Sequence, residues 1–273
     1  MRLIIVRHGE TDWTLTGRYT GGTDLALTAK GRTQAAALAP VLANVLRGRD
    51  PVVVTSPRQR AIQTITLALP GHQMDIDPLV AEFDYGDYEG LTGEHIRRRA
   101  PGWDIWRDGC PHGESTPDVG TRADRLLAGV VPDGTQPLVV VTHGHFSRIL
   151  AARAIGLAPK YGRLFASTTA SVSLVEDHDS ERCLGLCNAD SGLLQNSTHG
   201  PTLQSGWTAE SLSAAGDRPT TRHKIFATWK NQVSLAHSLV LADAATRAVS
   251  EAEGLFELSV CPSMTALASV ADT

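Results

Sequence analysis

Two short apolar runs in this chain each end on a histidine followed by a glycine. The first, Leu3 to Val6, leads into Arg7-His8-Gly9, and the second, Leu138 to Val141, leads through Thr142 into His143-Gly144. A continuous apolar run of this length is typical of a parallel strand that is buried on both faces. Because open α/β sheets hold their ligands beyond the carboxyl ends of such strands, two neighbouring strands would bring both imidazoles to one ligand.

A third run, Val52 to Val54, leads into the segment Ser56-Pro57-Arg58-Gln59-Arg60. The β-branched residues predict another buried strand, followed by a helix with Ser56 as its N-cap and Pro57 as its first residue. Arg60 then falls in the opening turn. Free N–H groups and the helix dipole favour an anion there, so its guanidinium can fork onto a phosphate. For Arg58, a solvated arginine on the helix surface is an equally good interpretation.

Composition narrows the classes of function. The 273 residues include 25 basic and 29 acidic side chains, and a net charge of -4 gives no reason to expect nucleic acid or a membrane as a partner. The four cysteines lack the spacing of a zinc site, so we expect reduced thiols and no metal. No apolar run is long enough to span a bilayer, and the chain enters a strand directly, which favours a cytoplasmic protein.

Four separated motifs resemble those of the histidine phosphatase superfamily, also called phosphoglycerate-mutase-like, across residues 1–190. They are Arg7-His8-Gly9, the pattern Ser-Pro-x-x-Arg-Ala-x-x-Thr from Ser56, the pattern Glu-x-x-x-Gly-x-x-Glu-Gly from Glu82, and His143-Gly144. The resemblance implies an α/β fold, a three-layer α/β/α sandwich with a mainly parallel sheet. It also implies hydrolysis of phosphate monoesters through a phosphohistidine, without cofactor or metal.

The same resemblance assigns roles to five residues. His8 is the nucleophile, Arg7, Arg60 and His143 bind the transferring phosphoryl group, and Glu82 is the general acid. A carboxyl group beside apolar side chains can supply the proton that the leaving oxygen needs. Glu89, in the same loop as Glu82, is interpreted as structural, and His145 is expected behind the site or on the surface.

Candidate substrate-binding residues lie mainly in the Thr- and Gly-rich segment from Trp13 to Asp24. Thr14 stands where family members commonly carry an asparagine that contacts phosphate, and backbone N–H and hydroxyl groups of this segment can wrap a polar ligand. Together with Arg7 and Arg60, the predicted substrate-binding residues are Thr14, Thr20, Gly21 and Gly144. Two nearby tryptophans, Trp103 and Trp106, are expected to pack rather than to stack on substrate.

The resemblance is strongest to mutase-like acid phosphatases and to sedoheptulose-1,7-bisphosphatases. It therefore implies a small phosphorylated metabolite as substrate, such as a sugar phosphate or bisphosphate. A cofactor-dependent phosphoglycerate mutase is the main alternative, because it would use the same residues. A non-catalytic sensor of a phosphorylated ligand is the second, although His8 and Glu82 are both present.

The spacing of apolar residues and the capping residues also predict the remaining helices and strands. Helices are expected at Ala35–Leu46, from Ser115 or Thr116 towards Val131, and at Phe146–Leu157, with a closing hairpin formed by Ser171–Glu176 and Cys183–Cys187. Residues 1–190 form the predicted catalytic domain, and residues 191–220 are interpreted as a linker or loose extension. Residues 221–273 are interpreted as a C-terminal helical extension, with an apolar stripe from Phe226 to Val240. This helix could pack on the domain or form a homodimer.

Overall fold

One six-stranded sheet organises the chain. The computed structural model describes residues 1–129, 136–178 and 181–191, and the backbone of residues 223–224 and 256–257. The strands, in chain order, are β1 (Arg2–Arg7), β2 (Val52–Thr55), β3 (Asp75–Ile76), β4 (Leu138–Thr142), β5 (Val172–His178) and β6 (Glu181–Ala189). Their spatial order is β3-β2-β4-β1-β5-β6. Strands β1 to β4 pair in parallel, whereas β5 is antiparallel to both of its neighbours, β1 and β6. These pairings confirm the mainly parallel sheet and the closing hairpin.

Helices flank the sheet. They are α1 (Asp12–Leu15), α2 (Ala29–Ala36), α3 (Ala39–Leu46), α4 (Gln59–Ala68), α5 (Gly93–Arg99), α6 (Ile105–Asp108), α7 (Thr116–Gly129) and α8 (Gly144–Ala154). Short 3₁₀ turns occur at Pro78–Val80, Gly86–Tyr88 and Pro159–Leu164. In the described part of the chain, no helix is long and apolar enough to cross a membrane.

Side chains of the central strands alternate between two cores, because successive residues of a strand point to opposite faces. Leu3 and Ile5 of β1 pack with α7 and α8, whereas Ile4 and Val6 pack with α3 and α4. The same alternation holds along β4. The sheet is therefore the middle layer of the predicted α/β/α sandwich.

The predicted helix from Ala35 to Leu46 is wrong in its continuity. Two helices occupy this region, and α2 starts at Ala29 because the Thr28 side chain accepts a hydrogen bond from the backbone of Gly31 at 2.9 Å. The break precedes Pro40, the second residue of α3. Since proline has no N–H and its ring clashes with the carbonyl four residues earlier, a single helix cannot continue through this position.

The start of α4 also differs from its prediction. The N-cap is Arg58 rather than Ser56, and Pro57 lies outside the helix. The Ser56 hydroxyl contacts His143 at 2.7 Å and also accepts a hydrogen bond from the Arg58 amide at 3.3 Å. Arg60 remains in the opening turn, as its position in the sequence predicts.

Much of the predicted C-terminal extension lies outside the described residues. This applies to all of the linker after Ser191 and to the apolar stripe from Phe226 to Val240. His223–Lys224, where the first turn of the helix was predicted, form instead a two-residue strand that pairs in parallel with Phe256–Glu257.

Candidate active site

The carboxyl ends of β1 and β4 bring His8 and His143 together. The two strands are adjacent and parallel, Arg7 pairs with Thr142, and the His8 amide donates to the Thr142 carbonyl at 3.0 Å. The two imidazole centroids are 5.1 Å apart with an angle of 63° between the rings. Strand topology therefore makes neighbours of two residues 135 positions apart in the sequence.

The His8 ring is held as a neutral imidazole. Its Nδ1 lies 2.7 Å from the Gly9 carbonyl, which can only accept, so Nδ1 carries the proton and Nε2 keeps its lone pair. Burial, and then the charges of Arg60 and Arg7, hold the pKa of His8 well below its usual range. An unprotonated Nε2 is what a nucleophile at phosphorus requires.

Gly9 has a packing role. A Cβ at this position would lie 2.5 Å from the carbonyl oxygen of Gly31, in α2. The glycine thus allows α2 to approach the end of β1 closely.

His143 is fully buried and uses both ring nitrogens. Its Nδ1 accepts from Arg60 Nε at 3.1 Å, so the proton lies on Nε2, which donates to the Ser56 hydroxyl at 2.7 Å. Burial lowers the pKa of His143 well below its usual range, with smaller contributions from Arg60 and His8. In this arrangement His143 orients Arg60, and it can donate to a phosphoryl oxygen only by giving up Ser56.

Arg60 links the loop of residues 20–23 to the two histidines. Its guanidinium is fully buried, and it donates from Nη1 to the Thr23 carbonyl at 2.8 Å and from Nη2 to the Thr20 carbonyl at 2.9 Å. Burial lowers the pKa of Arg60, but an arginine stays charged in proteins. The loop carbonyls therefore fix the direction in which this cation faces the site.

Glu89 holds the same loop from its other side. Its carboxylate accepts from the amides of Gly21 and Thr23, each at 2.9 Å. Arg60 thus binds the carbonyls of the loop and Glu89 binds its amides. The structural interpretation of Glu89 becomes specific: it positions the loop that positions Arg60.

Arg7 is held beside the start of α8. Its Nη1 donates to the Ser167 carbonyl, and its buried Nε has no hydrogen-bond partner among the described residues. A Cβ at Gly144 would lie 3.3 Å from the Arg7 guanidinium carbon, so a glycine lets the cation lie close to the backbone. This Nε–H is therefore a donor that no described residue uses.

The Glu82 carboxylate sits at the amino-terminal end of α8. Its Oε1 accepts from the amides of Phe83 and Phe146, both at 2.9 Å, and its Oε2 accepts from the amide of His145 at 3.1 Å. Arg122 braces the same segment by donating to the carbonyls of Ala81 and Glu82, at 2.7 and 3.2 Å. The backbone of α8 therefore orients Glu82, just as that of β4 orients His143.

Behind Glu82, His145 is surrounded by aromatic rings. Its Nδ1 lies 2.8 Å from the Tyr85 hydroxyl, and the Trp106 ring centroid is 5.3 Å away. Burial lowers the pKa of His145 to about 4, so the ring is neutral and accepts the Tyr85 proton. Trp103 packs edge-on against Tyr19 and donates to the Gly109 carbonyl at 2.8 Å. Both tryptophans pack against the core, as the sequence suggested.

A cavity of about 320 Å³ opens beside Glu82. We refer to it as the Glu82 cavity. Most of its lining comes from loops and from the turn before α4, with one residue from α7. The lining includes Gly21, Gly22, Arg58, Glu82, Asp84, Glu114 and Arg122.

The predicted substrate-binding residues fall into two groups. Gly21 lines the Glu82 cavity, Gly144 contacts Arg7, and Thr20 contributes its carbonyl to Arg60. The hydroxyl of Thr20 donates instead to the Arg18 carbonyl at 3.0 Å. The hydroxyl of Thr14 donates to the Thr11 carbonyl at 2.8 Å in the capping of α1, so nothing in this geometry supports its predicted contact with phosphate.

Sequence reasoning missed Ser56 as the partner of His143 and Arg122 as the brace of Glu82. The serine was visible in its motif, but capping explained it equally well. No local pattern identifies Arg122 as the brace of Glu82, because the carbonyls it holds there belong to residues about forty positions away. Among the described residues, no group of three or more histidine, cysteine, aspartate or glutamate side chains could hold a metal ion.

Comparison with known proteins agrees with this geometry. The model of the histidine phosphatase superfamily, branch 1, matches residues 3–190. The chain belongs to this superfamily. It is 41% identical over 203 residues to an acid phosphatase of Mycobacterium tuberculosis, covering 74% of this chain and 93% of that protein. It is 38% identical over 184 residues to a sedoheptulose 1,7-bisphosphatase of Saccharomyces cerevisiae, covering 57% of this chain and 68% of that protein.

A solved structure supports the same relationship. The product of an open reading frame of Mycobacterium tuberculosis superposes with a TM-score of 0.65 at 41% identity, covering 70% of this chain and 98% of that one. With the family and these relatives, the chain is an enzyme of the phosphatase type, a histidine phosphatase.

Proposed function

We propose that this enzyme hydrolyses small phosphorylated metabolites, in particular sugar phosphates and bisphosphates, through a phosphohistidine at His8. The observation that carries the proposal is the neutral His8 ring, with its Nε2 unprotonated and its charge environment set by Arg7 and Arg60. The names of the two curated relatives, an acid phosphatase and a sedoheptulose 1,7-bisphosphatase, support the substrate class.

In the first half-reaction, the lone pair of His8 Nε2 attacks phosphorus and forms an N–P bond. The P–O bond to the leaving group breaks, and Glu82 transfers a proton to the departing oxygen. Arg7 and Arg60 bind the equatorial oxygens and offset the charge that develops on them. The ring of His143 contributes by holding Arg60 and by donating from Nε2 when a phosphoryl oxygen replaces Ser56.

In the second half-reaction, water attacks the phosphohistidine. Glu82, now a carboxylate, accepts a proton from the water, the N–P bond breaks, and the electron pair returns to His8 Nε2. Inorganic phosphate then leaves, and Glu82 again carries a proton while His8 again has a free lone pair on Nε2. Arg7 and Arg60 are the cations that serve both steps, so no metal ion enters this scheme.

The mutase alternative differs only in what accepts the phosphoryl group. A mutase returns it to a second hydroxyl of the bound substrate, whereas a phosphatase passes it to water. The sensor alternative predicts binding without turnover.

A cytoplasmic location is part of the proposal, because phosphorylated metabolites are charged and do not cross a bilayer unaided.

A rapid-quench experiment tests the proposed function. Enzyme mixed with a ³²P-labelled sugar phosphate should form an acid-labile, base-stable phosphoprotein that decays as labelled inorganic phosphate appears, with or without a chelator. Tandem mass spectrometry should place the label on His8. Label that reappears in an isomeric phosphate ester would establish a mutase instead. Strict dependence on Mg²⁺, or no phosphoenzyme with any phosphate ester, would refute the mechanism.

A further inference from the structure

Arg58 has a charged side chain that forms no hydrogen bond or ion pair with any described residue. It is the N-cap residue of α4, two residues before Arg60, and it is partly buried. Its Nε atom is enclosed by protein, yet it makes no hydrogen bond to any described residue. The ion pairs found in the described ranges do not include its guanidinium either. A buried donor without a partner is costly unless a ligand satisfies it.

The charge of Arg58 adds to that of the neighbouring cation. It contributes to lowering the pKa of Arg60 and of His143, although burial is the larger cause for both groups. Two arginines therefore lie near each other at the start of one helix, and Arg60 is bound by carbonyls and His143 while Arg58 is bound by nothing described. An anion beside Arg58 would relieve this repulsion.

Arg58 faces the space where the leaving group must be. It lines the Glu82 cavity together with Glu82 itself. In the proposed mechanism Glu82 protonates the leaving oxygen, so the rest of the leaving group occupies the cavity next to it. At about 320 Å³, the cavity has the size of a site for a small ligand.

The other charges of the cavity are already paired or hydrogen-bonded. Arg122 binds both oxygens of Glu114, at 2.9 and 2.8 Å. The Glu82 carboxylate accepts from three amides, and Asp84 accepts from the amide of Gly86 at 3.0 Å. Within the lining, Arg58 is thus the cation that has donors to offer to a ligand.

From this we infer that Arg58 determines substrate specificity by binding a second anionic group, a phosphate or a carboxylate, carried by the leaving group. The inference rests on the proposed function, because it requires the leaving group to lie in the Glu82 cavity. A guanidinium suits this task, since its planar fork binds two oxygens of one phosphate or carboxylate. The favoured substrates are then bisphosphates or phosphorylated acids rather than monophosphates of neutral sugars.

Two matched substrate pairs test the inference. The first is fructose 1,6-bisphosphate against fructose 1-phosphate, and the second is 3-phosphoglycerate against glycerol 3-phosphate. In each pair the two members differ in the second anionic group. The measurement is the ratio of kcat/KM within each pair, for the wild type and for Arg58→Gln, Arg58→Lys and the exposed control Arg49→Gln. Rates are expressed per phosphoenzyme-forming site, so that any unfolded fraction drops out.

In Arg58→Gln the ratio should fall by roughly 10- to 100-fold in at least one pair, as expected for the loss of a charge-assisted hydrogen bond. Arg58→Lys should keep part of the preference, and Arg49→Gln should keep all of it. The pair that responds identifies the second group as phosphate or carboxylate.

Unchanged kcat/KM ratios in both pairs would overturn the inference. If the ratios stay the same because both members lose activity equally, Arg58 acts on the transferring phosphoryl group. A wild-type enzyme that hydrolyses none of the four esters and forms no phosphoenzyme would instead refute the proposed function, and the inference would fall with it.

Discussion

The two sides of the active site are built differently. The proposed phosphoryl side, made of Arg7, His8, Arg60 and His143, stands on strand ends and a helix start, and ring, backbone and hydroxyl contacts fix its side chains. The proposed leaving-group side is the Glu82 cavity, whose lining is mostly loops and turns and includes Arg58, a cation without a partner among the described residues.

This difference separates chemistry from selectivity. Electrostatic stabilisation of a phosphoryl group needs dipoles and charges that do not have to reorganise during the reaction, and the strand ends provide them. Recognition of different leaving groups needs a surface that can vary without disturbing the sheet, which is the usual role of loops on a rigid scaffold. Substitutions on the two sides should therefore have different signatures.

The largest effect is expected for the nucleophile. His8→Ala should lower kcat by about 10⁴-fold or more for every substrate, because the covalent route is lost whatever the leaving group is. Steady-state rates on a sugar phosphate and an aryl phosphate, together with the phosphoenzyme yield, measure it. The exposed His72→Ala is the control. Substantial turnover in His8→Ala would show that another residue attacks phosphorus.

The general acid should show a dependence on the leaving group. Glu82→Gln should slow a sugar phosphate by roughly 10²- to 10⁴-fold, but an activated aryl phosphate much less, because a phenolate departs without a proton. The measurement compares kcat/KM for the two esters. If both fall by the same factor, Glu82 serves to shape the site and the proton comes from elsewhere.

Glu89→Gln makes the same chemical change in the same loop as Glu82→Gln. Its effect on kcat/KM should be smaller, and it should be the same for sugar and aryl phosphates. The substitution weakens the charged acceptor that holds the Gly21 and Thr23 amides, so Arg60 loses part of its support. We expect kcat/KM to fall by about 3- to 10-fold for sugar and aryl phosphates alike. A strong preference for the aryl ester in this variant would move the proton donor from Glu82 to Glu89.

The last prediction concerns stability rather than rate, through its dependence on pH. Burial lowers the pKa of His8 and His143, and that of His145 falls from 6.5 to about 4. As the pH falls, these histidines become protonated at a higher pH in the unfolded chain than in the folded protein. The free energy of unfolding therefore decreases as the pH falls below about 6.5. Each group adds a slope of at most about 1.4 kcal/mol per pH unit.

Urea unfolding between pH 7 and pH 4.5 measures this slope, and His145→Gln isolates one contribution. The variant lacks a titrating ring at that position, so its stability should depend less steeply on pH than that of the wild type. An identical slope in both proteins would mean that His145 is protonated equally in the folded and unfolded states.

Some of the molecule could be predicted from local pattern. The apolar runs at Leu3–Val6, Val52–Val54 and Leu138–Val141 required strands buried on both faces, because only a layered sheet covers such runs. His8 and His143 come directly after two of those strands, so their positions at the strand ends could be predicted as well. Arg60 was predictable because it lies in the first turn of the helix that follows β2, even though that helix begins two residues later than predicted.

Loops resisted prediction, for a physical reason. The Ser56 hydroxyl accepts from the Arg58 amide just before α4, as a local pattern can suggest, but only the approach of β4 to β2 brings the His143 imidazole within its reach. Thr14 carries the side chain of a binding residue, yet its hydroxyl is satisfied within its own turn. In both cases one polar group has several partners of similar strength, and the choice depends on what the fold brings near.

The sequence by itself determined the layered sheet and the residues placed at its strand ends, because the side-chain period of a strand and the rule of parallel topology fix both. Only the tertiary structure decided how the loops meet over the sheet. It joined Glu89 to the loop that supports Arg60, placed Arg122 behind Glu82, and left Arg58 at the cavity without a partner among the described residues. These contacts join positions that are distant in the chain, so no local preference records them.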